Sequence, residues 1–164
     1  MNLTRKIVNG LNFAGGRTRV AVVTYADEPT VRFNLNRYSD KVSVLNAIAF
    51  TQEKGRTNTA RAIRKTAADV FTGAKGDRVG DDNVMIVITD GKSNIQENQI
   101  IPESDEARGK DIKMIAIGIG KDEDLDRQEL IDIANKPDSL YAYVVNEESD
   151  VEIVSNKVLD QLCQ

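Results

Sequence analysis

Asn83-Val84-Met85-Ile86-Val87-Ile88-Thr89 runs straight into Asp90-Gly91. Five successive apolar residues without alternation, mostly β-branched and bounded by turn formers, are too few for a helix of ordinary length. They read as a strand buried on both faces, the pattern of a parallel sheet. Working outward, residues 19–25 and 112–119 repeat that pattern, and 140–145 makes a fourth such run. Val31-Arg32-Phe33-Asn34-Leu35 alternates, as a half-exposed edge strand does, and can form a hairpin with 19–25 across Ala26-Asp27-Glu28-Pro29. Helical spacing fills the intervals at 40–49, 58–72, 103–110, 126–135 and 149–162, with Ala60, Ile63, Ala67, Val70 and Phe71 on one face. Asp40 and Asp126 read as N-caps and Gly73 as a helix stop. Strands alternating with helices predict a doubly wound α/β fold, a mostly parallel sheet with helices on both faces.

Composition bounds the function. The 164 residues fit one domain spanning 1–164. Twenty-two basic against 26 acidic residues leave a net charge of −4, so no basic field draws nucleic acid or anionic lipid to the surface as a whole. With no histidine in the chain, His-based metal sites, proton shuttles and triads are excluded, and a metal must be held by oxygen. Cys163 stands alone, either as a reduced thiol or as one half of a pair. No apolar run approaches the about 18 residues of a spanning helix, and residues 1–20 carry no signal-peptide core.

Two stretches carry chemistry. Gly55-Arg56-Thr57-Asn58-Thr59-Ala60 is a hydroxyl-rich turn opening a helix, where α/β folds bind ligands, although Thr57 or Asn58 can equally be a simple cap. Asp90 follows a buried strand at the crevice end of the sheet, although Asp-Gly is also a common turn. Together, a hydroxyl and a carboxylate from two loops on one sheet edge suit a hard cation such as Mg²⁺, and two such ligands alone hold it weakly. Acidic runs at Asp122-Glu123-Asp124 and Glu147-Glu148 read as solvated helix starts. Gly118-Ile119-Gly120 lacks the third glycine of a dinucleotide fingerprint.

GRTNTARAIRK at 55–65 and NVMIVITDGKSN at 83–94 resemble the von Willebrand factor type A family, and the 90 − 57 = 33 residue spacing is similar to that of integrin inserted domains. The similarity extends through 19–25, 31–33, 112–120 and 127–137, and the C-terminal Val158-Leu159-Asp160-Gln161-Leu162-Cys163 is most like the matrilin and collagen-VI branch. The resemblance implies a metal-ion-dependent adhesion site for Mg²⁺ or Mn²⁺, in which one coordination position stays open for an acidic residue of a protein partner. Thr57 and Asp90 match the second-loop and third-loop ligands. Gly55, Asn58, Thr59 and Gly91 would shape the loops, and Arg56 would line the rim.

One element of that pattern is missing. No Asp-x-Ser-x-Ser occurs in the sequence, and the family's first strand, central between 19–25 and 83–89, has no counterpart. Three arrangements follow: a fragment of a longer domain, direct pairing of 19–25 with 83–89, or a strand donated by a partner. In matrix-type relatives a late cysteine often pairs with one ahead of the first strand, which makes Cys163 a possible disulfide half. Asn2-Leu3-Thr4 is a glycosylation sequon, in keeping with secretion. The resemblance implies an extracellular adhesion or matrix module that binds proteins and is not an enzyme. The alternative is an intracellular type A module in a chelatase-like or copine-like assembly. A Rossmann-type enzyme with Asp90 as base ranks last, because no acid, nucleophile or cofactor loop accompanies it.

Overall fold

The computed structural model describes residues 3–49 and 55–162. In chain order the elements are α1 (Leu3–Gly10), β1 (Val22–Tyr25), β2 (Pro29–Phe33), α2 (Lys41–Ala47), α3 (Thr59–Asp69) and β3 (Asn83–Thr89). There follow α4 (Ile100–Gly109), β4 (Ile112–Ile119), α5 (Arg127–Ile133), β5 (Ala142–Val145) and α6 (Glu148–Leu162). β3, β4 and β5 form a parallel sheet in that order, with Asn83 opposite Ile112 and Ala116 opposite Ala142. β1 and β2 form a separate antiparallel hairpin, Val23 opposite Val31. Helices cover both faces, and the doubly wound α/β reading holds.

The apolar periodicity explains the layering. Met85, Val87, Met114 and Ala116 point to one side, where Ala60, Ile63 and Ala67 of α3, Ala107 of α4 and Leu130 of α5 meet them. Ile115, Ile117, Tyr143 and Val145 point to the other, against Leu3 and Ile7 of α1 and Val154 and Val158 of α6. Such opposite-facing sets follow from the period of two along each strand. α1 and α6 lie side by side and run the same way: Lys6 pairs with Glu152 one turn in, and Gly10 lies against Leu159 further down.

The sheet is not continuous. β1 and β3 flank a cleft of about 1120 Å³, lined by Val20, Val22, Val84 and Ile86 and covered by Ile7 and Val8 of α1. The cleft is tied at its ends by long polar side chains. Tyr25 donates its hydroxyl to the Ile88 carbonyl (3.2 Å) at one end. At the other, Arg19 reaches the Gly76 carbonyl (2.6 Å), and Arg78 donates to the carbonyls of Gly16 and Arg17. The arrangement in which β1 pairs directly with β3 is therefore incorrect among the described residues. Paired neighbours lie about 4.8 Å apart, and side chains as long as tyrosine and arginine span the interval here instead.

Two further expectations are corrected. β1 is half-buried at all four positions rather than enclosed on both faces, because among the described residues its cleft-side edge has no neighbouring strand. α3 ends at Asp69 with Val70 as its C-cap, ahead of Gly73, which instead opens a short 3₁₀ turn. Asp40 and Asp126 cap α2 and α5 as expected, accepting from Ser43 N and from Gln128 N and Glu129 N. Asn2 and Cys163 lie outside the described residues.

Candidate functional site

The two loops singled out in the sequence meet at the carboxyl ends of the strands. Their contact is a reciprocal set of hydrogen bonds. Thr57 N donates to Asn94 Oδ1 (3.0 Å), and Asn94 N donates to the Thr57 carbonyl (3.1 Å). Asn58 N donates to the Ala26 carbonyl (3.0 Å), and its side-chain amide donates to Gln96 Oε1 (3.3 Å). Gln96 holds a positive φ of 55°, a conformation unusual without glycine and here fixed by the loop around it. Thr57, Asn58 and the chain after Asp90 are thus sewn into one unit, with the end of β1 behind them.

Each residue has a distinct part. Asn58, 2 % exposed, caps α3 through Arg61 N (3.1 Å), so the capping alternative applies to Asn58, while the Thr57 hydroxyl is not a helix cap. Thr59, fully buried, places its hydroxyl 2.5 Å from that of Ser93. Thr89 donates to the Gly91 carbonyl (2.9 Å), tightening the turn that carries Asp90 at the surface. Gly55 has a φ of +149°, and a Cβ there would meet Asp27 Oδ2 at 2.5 Å, so the approach of this loop to Asp27 requires glycine. Arg56 then donates through Nε to Asp27 Oδ1 (2.8 Å) and through its backbone N to Oδ2 (3.3 Å). These bonds hold the Asp27 carboxyl below the usual carboxylate range. Arg56 is exposed.

Beneath the loops lies a polar floor. Ser93 donates its backbone N to Glu129 Oε2 (3.0 Å) and its hydroxyl to Oε1 (2.7 Å), and Thr59 reaches the same Oε1 (3.3 Å). Burial pushes the Tyr25 phenol up to about 12, opposed by hydrogen bonds with Thr89 and Thr59 and aided by the negative charges of Glu129 and Asp90. Ser93, Asn94, Asp27 and Glu129 are the residues that sequence reasoning left without a role. Asn94 closes the quoted 83–94 stretch, and Asp126-x-x-Glu129 has the spacing of a capping box, which gives Glu129 an ordinary explanation. The structure turns the Glu129 side chain toward Ser93 instead.

Chemically, the site offers hard oxygen donors. Among the described residues no group of three or more His, Cys, Asp or Glu side chains converges. Thr57 brings a hydroxyl and Asp90 an exposed carboxylate to the interlocked loops, the kind of hard oxygen donor that Mg²⁺ or Mn²⁺ takes, Mg²⁺ commonly with one or two carboxylates.

A doubly wound α/β domain with interlocked loops at the carboxyl ends of its strands defines the class. The chain belongs to the von Willebrand factor type A domain family, whose model matches residues 1–157. It is 30 % identical over 162 residues to matrilin-3 of Mus musculus, covering 96 % of this chain and 32 % of that protein. It is 29 % identical over 163 residues to the collagen alpha-1(XII) chain of Notophthalmus viridescens, covering 99 % and 17 %. Integrin alpha-2 of Mus musculus is 38 % identical over 95 residues, 57 % of this chain and 8 % of the integrin. The chain thus spans under a third of the length of each of these relatives. Among solved structures, proximal thread matrix protein 1 of the mussel byssus matches with a TM-score of 0.87 at 24 % identity, over 98 % of this chain and 41 % of that one. The structure of that protein described as having a zinc-occupied MIDAS motif matches with a TM-score of 0.84 at 25 % identity, over 98 % and 41 %.

Proposed function

We propose that this chain is a protein-binding adhesion module of an extracellular matrix or cell-surface protein, acting through a divalent cation held in part by Thr57 and Asp90. The observation that carries the reading is the reciprocal Thr57–Asn94 bonding, which fixes a hydroxyl loop and a carboxylate loop against each other before any ligand arrives. Preorganisation of this kind spares a site the cost of ordering its loops on binding. Mg²⁺ or Mn²⁺ supplies a Lewis-acidic position to which a carboxylate of a protein partner can bind. Thr57 and Asp90 hold the ion, with Gly55, Asn58, Thr59 and Gly91 keeping the loops in place and Arg56 facing the partner. Binding and not catalysis is the reading. The matrix and adhesion relatives support it.

With two side-chain ligands the affinity of this chain is weak. Isothermal titration with Mg²⁺ is expected to show no micromolar binding, and a micromolar constant overturns that expectation. At millimolar Mn²⁺, the amide resonances of Thr57 and Gly91 should broaden first in wild type and stay sharp in Asp90→Asn. A short peptide with one Glu should then shift the same resonances only when the cation is present, and its Gln counterpart should not. Broadening confined to other acidic surfaces such as Asp122–Asp124 overturns the assignment.

A further inference from the structure

Two carboxylates are buried among the described residues, Glu103 and Glu129, at 7 % and 8 % exposure. They are handled differently. Glu103 is neutralised by Arg64, which donates to its Oε1 through Nε (2.8 Å). Glu129 has no Lys or Arg against it among the described residues; it accepts only from Ser93 N, the Ser93 hydroxyl and the Thr59 hydroxyl. An ion taken out of water costs several kcal/mol unless an opposite charge or a full hydrogen-bond set offsets it. Here three hydrogen bonds take that part and, among the described residues, no cation does. That charge lies under the site: Ser93 follows Asp90 by three residues, Thr59 follows Thr57 by two, and the hydroxyl of Tyr25 feels both Glu129 and Asp90.

We infer that Glu129 is a positioning residue for the cation site: its buried, cation-free carboxylate clamps the Thr57 and Asp90 loops through Thr59 and Ser93 and draws the ion electrostatically without touching it. The inference rests on the reading of Thr57 and Asp90 as cation ligands. A purely structural latch and a buried charge differ in one respect. Coulomb attraction scales with the charge of the ion, whereas a loosened loop weakens every ion alike.

The test uses the full chain, Mn²⁺ and Tb³⁺, with the Thr57 and Gly91 resonances as readout and thermal unfolding as a check on the fold. Glu129→Gln keeps shape and removes charge; its Mn²⁺ midpoint is expected to rise about tenfold and its Tb³⁺ midpoint about thirtyfold, the ratio set by ion charge. Ser93→Ala keeps the charge and drops the hydroxyl; it should weaken both ions by one common factor or leave them alone. Equal losses for the two ions in E129Q, or none, overturn the inference while the site reading stands. Charge-scaled losses in S93A also overturn it, a result that decides even if E129Q fails to fold. Absence of Asp90-dependent broadening in wild type removes the site reading and this inference together.

Discussion

Ser104 is fully buried on α4, and its hydroxyl has no hydrogen-bond partner among the described residues. A hydroxyl hidden from water without a partner is a net cost, so Ser104→Ala is expected to raise stability by about 1 kcal/mol in urea unfolding, and a loss of that size would show that the hydroxyl is bonded in solution. Tyr25 gives a second prediction, with a pH window. Its phenol is pushed up to about 12 from the usual 10.0, because burial favours the neutral form. The stability this contributes is full below pH 10 and lost as pH rises through 12; Tyr25→Phe should flatten that part of the stability–pH curve. At this scale the sequence was partly legible. Thr57 and Asp90 stood out because hydroxyl and carboxylate occur at loop positions after strands. Ser93 and Glu129 did not, since what joins them is a tertiary hydrogen bond between residues 36 apart.

Elements were read from the sequence nearly to their ends where local chemistry marks the boundary. β3 and β4 occupy 83–89 and 112–119 because turn formers stop both apolar runs, and Asp40 and Asp126 start α2 and α5 through their own side chains. The end of α3 was misjudged. Gly73 looked like the stop, but the chain leaves the helix after Asp69 while Val70 still packs in the core at 1 % exposure, so burial and not a glycine fixes that end. α5 is the element whose cap bears on the site. Asp126 accepts from Gln128 N (3.0 Å) and Glu129 N (3.2 Å), holding the first turn from which Glu129 reaches Ser93. Asp126→Ala should cost about 1 kcal/mol, as N-cap losses do. It should also speed hydrogen exchange at Ser93 N, in another loop; unchanged exchange there would separate the cap from the Ser93–Glu129 contact.

For the whole molecule, the cleft dominates. A parallel sheet is stable when both faces are covered and interior strands are paired on both edges; among the described residues only β4 meets that condition, being paired with β3 and β5 and largely buried. Among the described residues β3 is strand-paired on one edge and β1 is strand-paired with β2 alone, its four residues half-buried. The expectation of a further strand between β1 and β3 came from the family resemblance; periodicity alone does not show a gap, because each strand flanking the cleft still reads as apolar. Local opening is easiest where buried contacts and ladder bonds are fewest, so protection should be graded across the molecule. Amide exchange followed by mass spectrometry or NMR is expected to be slowest in Met114–Ile117, intermediate in β3 and fastest in β1, with the Tyr25–Ile88 contact slowing only the end of the cleft nearest the candidate site. Equal protection of β1 and β4 would mean that the cleft closes in solution by a pairing other than the one seen. If exchange in β1 slows as protein concentration rises, its open edge is pairing with a second molecule, the known hazard of an uncovered strand. In either case the candidate cation loops would be affected, because Asn58 is tied to the Ala26 carbonyl at the end of β1, and movement of that strand moves the loop that carries Thr57.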